Sequence, residues 1–385
     1  MEWCHMSTGC TVFMTGLAQG FTRMFRPIRK RVVSALSASH HIMGLDIGSR
    51  AIKLVQMQWQ KNAYRLVRCG ITSLERGVMA GGIILDQAKM CAALHTLLED
   101  YDIANTRLAI SLAGASVMVR HVSVPIMPLQ ELERYMLWEG EQYIPGSIDD
   151  VYIDYWPLFF DDAVNRLDPS TMSLLLIVAK KEIVEERMTL LQQSGCIPSV
   201  LDVEGFALAN MYAMNVDMAD SDYVMILNIG SSMMNMVMLR GQAPVLIRDA
   251  SCGSDDYIEK IYLSLDCDRA EAEAVFFCDV DKESVIMERN GFCQDIIGEV
   301  RKTLDHFGET VPNGGVRRLV VCGGYARVVG LLEALQEGVG IPVEQADPFH
   351  AVDTSDAGVD HAFLKQYAHM FGVGVGLARR TVGDR

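Results

Sequence analysis

The residues best placed for chemistry stand together: Asp46, Gly48, Ser49, Arg50 and Lys53. The apolar run Ile42–Ile47 leads into them, and an alternating stretch continues from Ala51. This pattern predicts a β-hairpin with its tip at Asp46-Ile47-Gly48-Ser49, because glycine allows the close approach or positive φ of a tight tip. Backbone N–H groups at such a tip can cradle an anion, with Lys53 supplying the opposite charge. Asp46 would repel a bare phosphate, so a divalent cation, held through water, is expected between them. A lone D-x-G-S turn is common in proteins that bind nothing there.

A second copy gives the first its weight. Leu45-Asp46-Ile47-Gly48-Ser49 and Leu227-Asn228-Ile229-Gly230-Ser231 differ only in Asp for Asn, and Ser232 follows the second. Copies roughly half a chain apart indicate two related lobes rather than a short-period solenoid. A third glycine signal, Leu319–Tyr325, is a buried-type strand running into Gly323-Gly324-Tyr325, with a helix expected from about Val328 to Glu337. A strand feeding such a turn lets the backbone lie flat against a ligand near the helix N-terminus.

This order of elements resembles the actin-like ATPase superfamily, in which two lobes clamp a nucleotide between two phosphate hairpins and an adenosine-side Gly-Gly turn. Within it the chain resembles the PilM family of type IV pilus assembly, over about Ile42 to Arg380. The resemblance rests also on V-P-I-M-P-L-Q-E-L (Val124–Leu132), E-G-E-Q-Y-I-P (Glu139–Pro145), A-K-K-E-I-V-E (Ala179–Glu185), L-D-V-E-G-F-A-L-A (Leu201–Ala209) and G-V-G-V-G-L-A-R-R (Gly372–Arg380). It implies an α/β actin-like ATPase fold, two ribonuclease-H-like lobes around a nucleotide cleft, with a small α+β insert in lobe one. It implies ATP and Mg2+ as cofactors, with Asp46 holding the metal through water. The cofactor-binding set carried over is Asp46, Gly48, Ser49, Arg50, Lys53, Asn228, Gly230, Ser231, Ser232, Gly253, Gly323, Gly324 and Tyr325. Glu204 sits at a strand-to-helix junction where DnaK-type relatives keep a glutamate that orients metal-bound water. It is the candidate catalytic residue; the alternative is a carboxylate that only serves its helix dipole.

The 385 residues are half hydrophobic with a formal net charge of -15, so a globular body is expected and broad nucleic-acid binding is not. The ten cysteines include no C-x-x-C pair, which suits a reduced cytosolic protein rather than a zinc site or disulfide framework. No apolar run reaches the roughly 18 residues of a membrane span, so solubility is expected. The expected division is a basic, disordered extension at 1–41, or an over-long start with the true one near Met43; lobe one at 42–115 and 197–219; the insert at 116–196; lobe two at 220–256 and 317–385; and a second small subdomain at 257–316. Tyr152, Tyr155, Trp156, Phe159 and Phe160 lie on one predicted strand, whose alternation divides them between core and surface.

Against the resemblance, three features depart from nucleotide-binding members, all in lobe two. Asn228 replaces an Asp, Met233-Met234 replaces hydroxyl-bearing residues, and Val275, Phe276 and Phe277 follow Ala272-Glu273 where a Lys is common. Nucleotide binding is therefore expected to be retained or weakened, with hydrolysis slow or absent. The resemblance implies a cytoplasmic scaffold, peripheral to the inner membrane. Its partner would be the cytoplasmic N-terminal peptide of a bitopic PilN-like protein, in a groove between lobe one and the insert, alongside other pilus platform proteins. Self-association and membrane contact through the basic segment stay open. The competing readings are an FtsA-like filament-forming membrane tether, disfavoured because Thr381–Arg385 offers no amphipathic helix, and a sugar or acid kinase.

Overall fold

The computed structural model describes residues 42–103, 105–144, 146–158, 170–310, 315–355 and 359–383. The basic segment 1–41 and residues 159–169, with Phe159 and Phe160, lie outside them. Strands β1 (Met43–Ile47), β2 (Ala51–Gln60) and β3 (Ala63–Ser73) form an antiparallel meander, followed by a short hairpin of β4 (Met79–Ala80) and β5 (Ile83–Ile84). Helix α1 (Gln87–Asp100) starts where the Asp86 side chain accepts from the Lys89 N–H, and leads to β6 (Arg107–Leu112). Next come β7 (Val117–Pro125), α2 (Leu129–Glu139), β8 (Val151–Leu158) and β9 (Thr171–Lys180), which make a separate three-stranded sheet with β9 central. Helix α3 (Lys181–Gln193), β10 (Ile197–Val203) and α4 (Glu204–Asn215) return the chain to the first sheet.

The second half repeats the first. β11 (Tyr223–Ile229), β12 (Met234–Arg240) and β13 (Ala243–Ala250) form the meander. Helices α5 (Asp255–Leu265), α6 (Arg269–Phe277) and α7 (Glu283–Thr310) follow it, then β14 (Val316–Cys322), α8 (Leu331–Val339) and β15 (Val343–Gln345). The first sheet runs β10-β6-β1-β2-β3, the second β13-β12-β11-β14-β15, each a meander extended by parallel strands on the side of its first member. The duplication read from the two glycine hairpins is thus a duplication of whole sheets.

The helices after β14 have ends with identifiable causes. Helix α8 begins at Leu331 rather than near Val328 because Gly330 takes φ +79, which a right-handed helix cannot continue through. The last helical segment is two helices, α9 (His361–Tyr367) and α10 (Gly372–Ala378), joined by a 3-10 turn at Ala368–Phe371. There the His369 carbonyl leaves the helical ladder to accept from the Gly323 N–H at 2.9 Å. Between β15 and α9 the chain crosses to the first sheet, where β16 (Val352–Asp353) pairs in parallel with β3. Helix α3 faces both ways: Val184 and Met188 pack with Val117 and Ala179, while Leu190 and Leu191 enter the core under β1. Its buried Arg187 donates to the carbonyls of Ser111 at 2.7 Å and Gly82 at 2.5 Å.

One hydrophobic core passes through both lobes, joining Val55 and Ala109 of the first sheet to Ile226, Val237 and Val320 of the second through α4 and α10. Glycine makes this approach feasible. A Cβ on Gly376 would lie 1.8 Å from the Ala207 carbonyl oxygen, and one on Gly44 would lie 2.2 Å from that of Gly374. Gly376→Ala is therefore expected to cost at least about 3 kcal/mol or to prevent folding. Gly298→Ala, inside α7 with open space around its would-be Cβ, is expected to stabilise by about 1 kcal/mol. Urea melts of the two variants, read by circular dichroism, separate these outcomes.

Candidate nucleotide cleft

The two hairpin tips meet. Gly48 N–H donates to the Ala51 carbonyl at 3.0 Å and Gly230 N–H to that of Met233 at 2.9 Å, so both tips close in the same way. The hydroxyls of Ser49 and Ser232 lie 2.6 Å apart, joining lobe one to lobe two at the tips. Behind the first tip, Asp46 and Lys53 are cross-strand partners whose side chains pair at 2.8 Å with little exposure. At the same register in the second hairpin, Asn228 faces Asn235, and the Asn228 Nδ2 donates to the Asn235 Oδ1 at 3.0 Å.

From Asn228 a hydrogen-bonded chain crosses the cleft twice. Its Nδ2 also donates to the Glu204 carboxylate at 2.6 Å. Asn235 Nδ2 donates to Asp249 Oδ1 at 2.8 Å, and the Gly114 N–H of lobe one donates to Asp249 Oδ2 at 2.6 Å. The Glu204 carboxyl is pushed up to about 8, chiefly by burial and then by the nearby Asp46 and Asp249 carboxylates, against the opposing pull of Lys53 and Asn228. An Asp at position 228 would set a second carboxylate against Glu204; Asn replaces that repulsion with a hydrogen bond.

The third glycine turn closes the other end. Gly323 takes φ +95, and a Cβ there would lie 2.5 Å from Asn228 Oδ1. Tyr325 N–H donates to the Ile229 carbonyl at 3.2 Å, tying the turn to the second hairpin. The Tyr325 ring stacks on Phe277 at 5.3 Å, and its hydroxyl donates to Glu273 at 3.0 Å. Glu273 in turn lies 3.6 Å from Arg50 of the first tip. The aromatic residues that stand where a Lys was expected thus form the bed of this turn. Gly253 packs against the second tip: a Cβ there would lie 2.1 Å from the Ser231 carbonyl oxygen.

The sequence-derived residues surround this cleft, with the Gly323-Gly324-Tyr325 turn and Arg50 at one end, Gly48 and Gly230 at the tips, and two further groups between. Asp46, Lys53, Glu204 and Asn228 form the floor, and Ser49, Ser231, Ser232 and Gly253 line a cavity of about 260 Å3 between the tips. Asn235, Asp249, Glu273 and Arg76 were missed. Asn235 was within reach, since it follows Asn228 by the same interval as Lys53 follows Asp46. The others carry no local motif. A larger cavity, about 480 Å3, lies beneath Phe349, Leu364 and His369, and none of the sequence-derived residues line it.

Duplicated sheets, facing glycine hairpins and a Gly-Gly turn between them define an actin-like ATPase fold. The profile of a family described as type IV pilus assembly protein PilM matches residues 44–382, and the chain belongs to that family. It is similar to a solved structure described as the PilM-PilN type IV pilus biogenesis complex, at 25% identity and a TM-score of 0.76, over 88% of this chain and 97% of that one. It also shares its fold with the ethanolamine utilization protein EutJ from Carboxydothermus hydrogenoformans, at 12% identity and a TM-score of 0.54, covering 89% of this chain and 90% of that one. Among the described residues no helix is long and apolar enough to cross a membrane.

The raised Glu204 pKa makes a stability prediction. Unfolded, this carboxyl ionises near 4.5; folded, near 8. Between those values the folded state keeps a proton that the unfolded state has lost, so the residue's contribution falls as pH rises through that window. Glu204→Gln removes the titration and keeps an acceptor for Asn228. It is expected to match the parent near pH 4 and to exceed it by on the order of 1–3 kcal/mol near pH 9, in urea melts across the range.

Proposed function

We propose that this protein is a nucleotide-responsive scaffold of the type IV pilus inner-membrane assembly platform, cytoplasmic and peripheral to the membrane through its partners. The observation that carries the nucleotide reading is the paired-tip geometry: Asp46 with Lys53 behind serine hydroxyls that meet at 2.6 Å across the lobes. ATP would enter with its phosphates between the tips and its nucleoside toward Gly323, Gly324 and Tyr325. Lys53 would turn from Asp46 to phosphate, and Asp46 would hold magnesium through water. Among the described residues no three acidic, His or Cys side chains converge to ligate a metal directly, so a water-mediated ion is the form that fits. Magnesium, when bound, would screen the phosphate charge from Asp46.

Slow or absent hydrolysis follows from the same floor. Asn228 brings no charge to a magnesium shell or an attacking water, and the Glu204 carboxylate is engaged by the Asn228 amide instead of standing free to orient one. The expected behaviour is micromolar MgATP affinity by calorimetry, lost in Asp46→Ala, with little phosphate release in a turnover assay. No binding by the parent, or rapid turnover, overturns the respective part.

The partner reading places the N-terminal cytoplasmic peptide of a PilN-like bitopic protein in the seam between lobe one and the insert. Alternation along β8 supports it. Ile153 and Tyr155 face the insert's own core, whereas Tyr152 and Trp156 face lobe one, with Trp156 6.3 Å from Phe206 of α4. The Trp156 indole N–H has no acceptor among the described residues, and a peptide carbonyl would supply one as the seam opens. Trp156→Ala is expected to weaken binding of that peptide about tenfold or more in fluorescence anisotropy. Unchanged affinity would move the peptide elsewhere.

A further inference from the structure

The cavity between the tips contains an arginine that belongs to neither hairpin. Arg76, in the loop between β3 and β4, lines it together with Ser49, Ser231, Ser232 and Ser251. Gly323, Gly324 and Tyr325 do not line it. At about 260 Å3 it is smaller than the roughly 300–1,000 Å3 of pockets that enclose drug-sized ligands. Its size and hydroxyl lining suit a phosphate rather than a whole nucleotide.

Arg76 now spans the cleft to Glu259 of α5, at 2.5 Å. Two features make that pair exchangeable. Its side chains are 36% and 32% exposed, which limits the pair to a weak, screened interaction. Glu259 also pairs with Arg269 of α6, so Arg76 can leave without stranding the carboxylate. A guanidinium can grip phosphate through two parallel hydrogen bonds, which a lysine cannot do. Asp255 and Asp256 line the same cavity, so the anion it accepts is one that arrives with a divalent cation.

We propose that Arg76 is a ligand of the terminal phosphate of metal-bound nucleoside triphosphate, exchanging Glu259 of lobe two for phosphate as the cleft fills. This rests on the nucleotide reading above. It supplies from lobe one a positive charge that Val275-Phe276-Phe277, standing where a Lys is common, leave out of lobe two. It also makes the triphosphate distinguishable from the diphosphate by one residue.

The test is calorimetry of MgATP and MgADP binding to the full chain and to Arg76→Gln, Arg76→Lys and Glu259→Gln, each first checked by thermal melt. Arg76→Gln is expected to weaken MgATP by about 10- to 100-fold while changing MgADP only slightly. Arg76→Lys, which keeps the charge and guards against a folding defect in the glutamine variant, is expected to fall between. Glu259→Gln, which removes the competing carboxylate, is expected to bind MgATP severalfold tighter. Equal loss of ATP and ADP in Arg76→Gln, or no loss of either, overturns the assignment and leaves nucleotide binding standing. A parent that binds neither nucleotide removes the nucleotide reading and this assignment with it.

Discussion

The cleft depends on one contact, the backbone-to-backbone approach of α4 and α10. The Ala207 carbonyl occupies the space where a side chain at Gly376 would begin, and the Gly374 carbonyl does the same at Gly44 of β1. α4 also meets the second sheet, where Ile247 fills the position of a Cβ on Gly205. Two helices and two sheets are thereby locked at a separation that only small residues allow. The chemistry hangs directly from this seam. Glu204 opens α4, one residue before Gly205, and is held where it meets Asn228. The turn before α10 presents the His369 carbonyl to Gly323, which brings the Gly-Gly turn against Asn228. A lobe movement that respects these contacts must pivot about them and open at the tips.

Duplication then gives the two sides of the cleft one geometry and different electrostatics. The same cross-strand position holds Asp46 with Lys53 in one hairpin and Asn228 with Asn235 in the other. The first pair is charged. The second is neutral and passes hydrogen bonds onward, to Glu204 on one side and Asp249 on the other. Asn at 228 is therefore more than a lost ligand. It lets two acidic residues, Glu204 and Asp249, share a chain of amide donors in a partly desolvated floor without a third carboxylate between them.

What could be read beforehand divides along the range of the interactions. Hairpins and the duplicated plan were legible because their causes are local: Gly48 and Gly230 at tips, and alternation in β2 and β8. The two floor residues Asp46 and Asn228 were legible because their motif repeats. The break at Ala368–Phe371 was not, since it is set by a hydrogen bond to Gly323, distant in sequence. Nor was Glu273's double role, because Arg50 and Tyr325 reach it from different lobes. Arg76 had no signal at all: its meaning comes only from the cavity that folding builds around it.

The contacts that close the tips are of a kind that a ligand can outweigh. Among the described residues they include one hydroxyl pair, one backbone bond to Asp249, and the partly exposed pairs Arg50–Glu273 and Arg76–Glu259. The hydroxyl pair and the exposed ion pairs contribute on the order of 1 kcal/mol or less each and the bond to Asp249 about 1.5–3 kcal/mol, so closure rests on a few kcal/mol in all. A nucleotide that binds the open and closed arrangements with different affinity can shift them by that much. α4 links the cleft to the insert. Glu204 at its start faces the cleft floor, and Phe206, about half a helical turn on, faces Trp156 of the insert. A helix with one side in the cleft and the other against the proposed partner seam would give the two sites a shared mechanical element. Coupling between them then requires only that the lobe angle have two arrangements which both ligands bias.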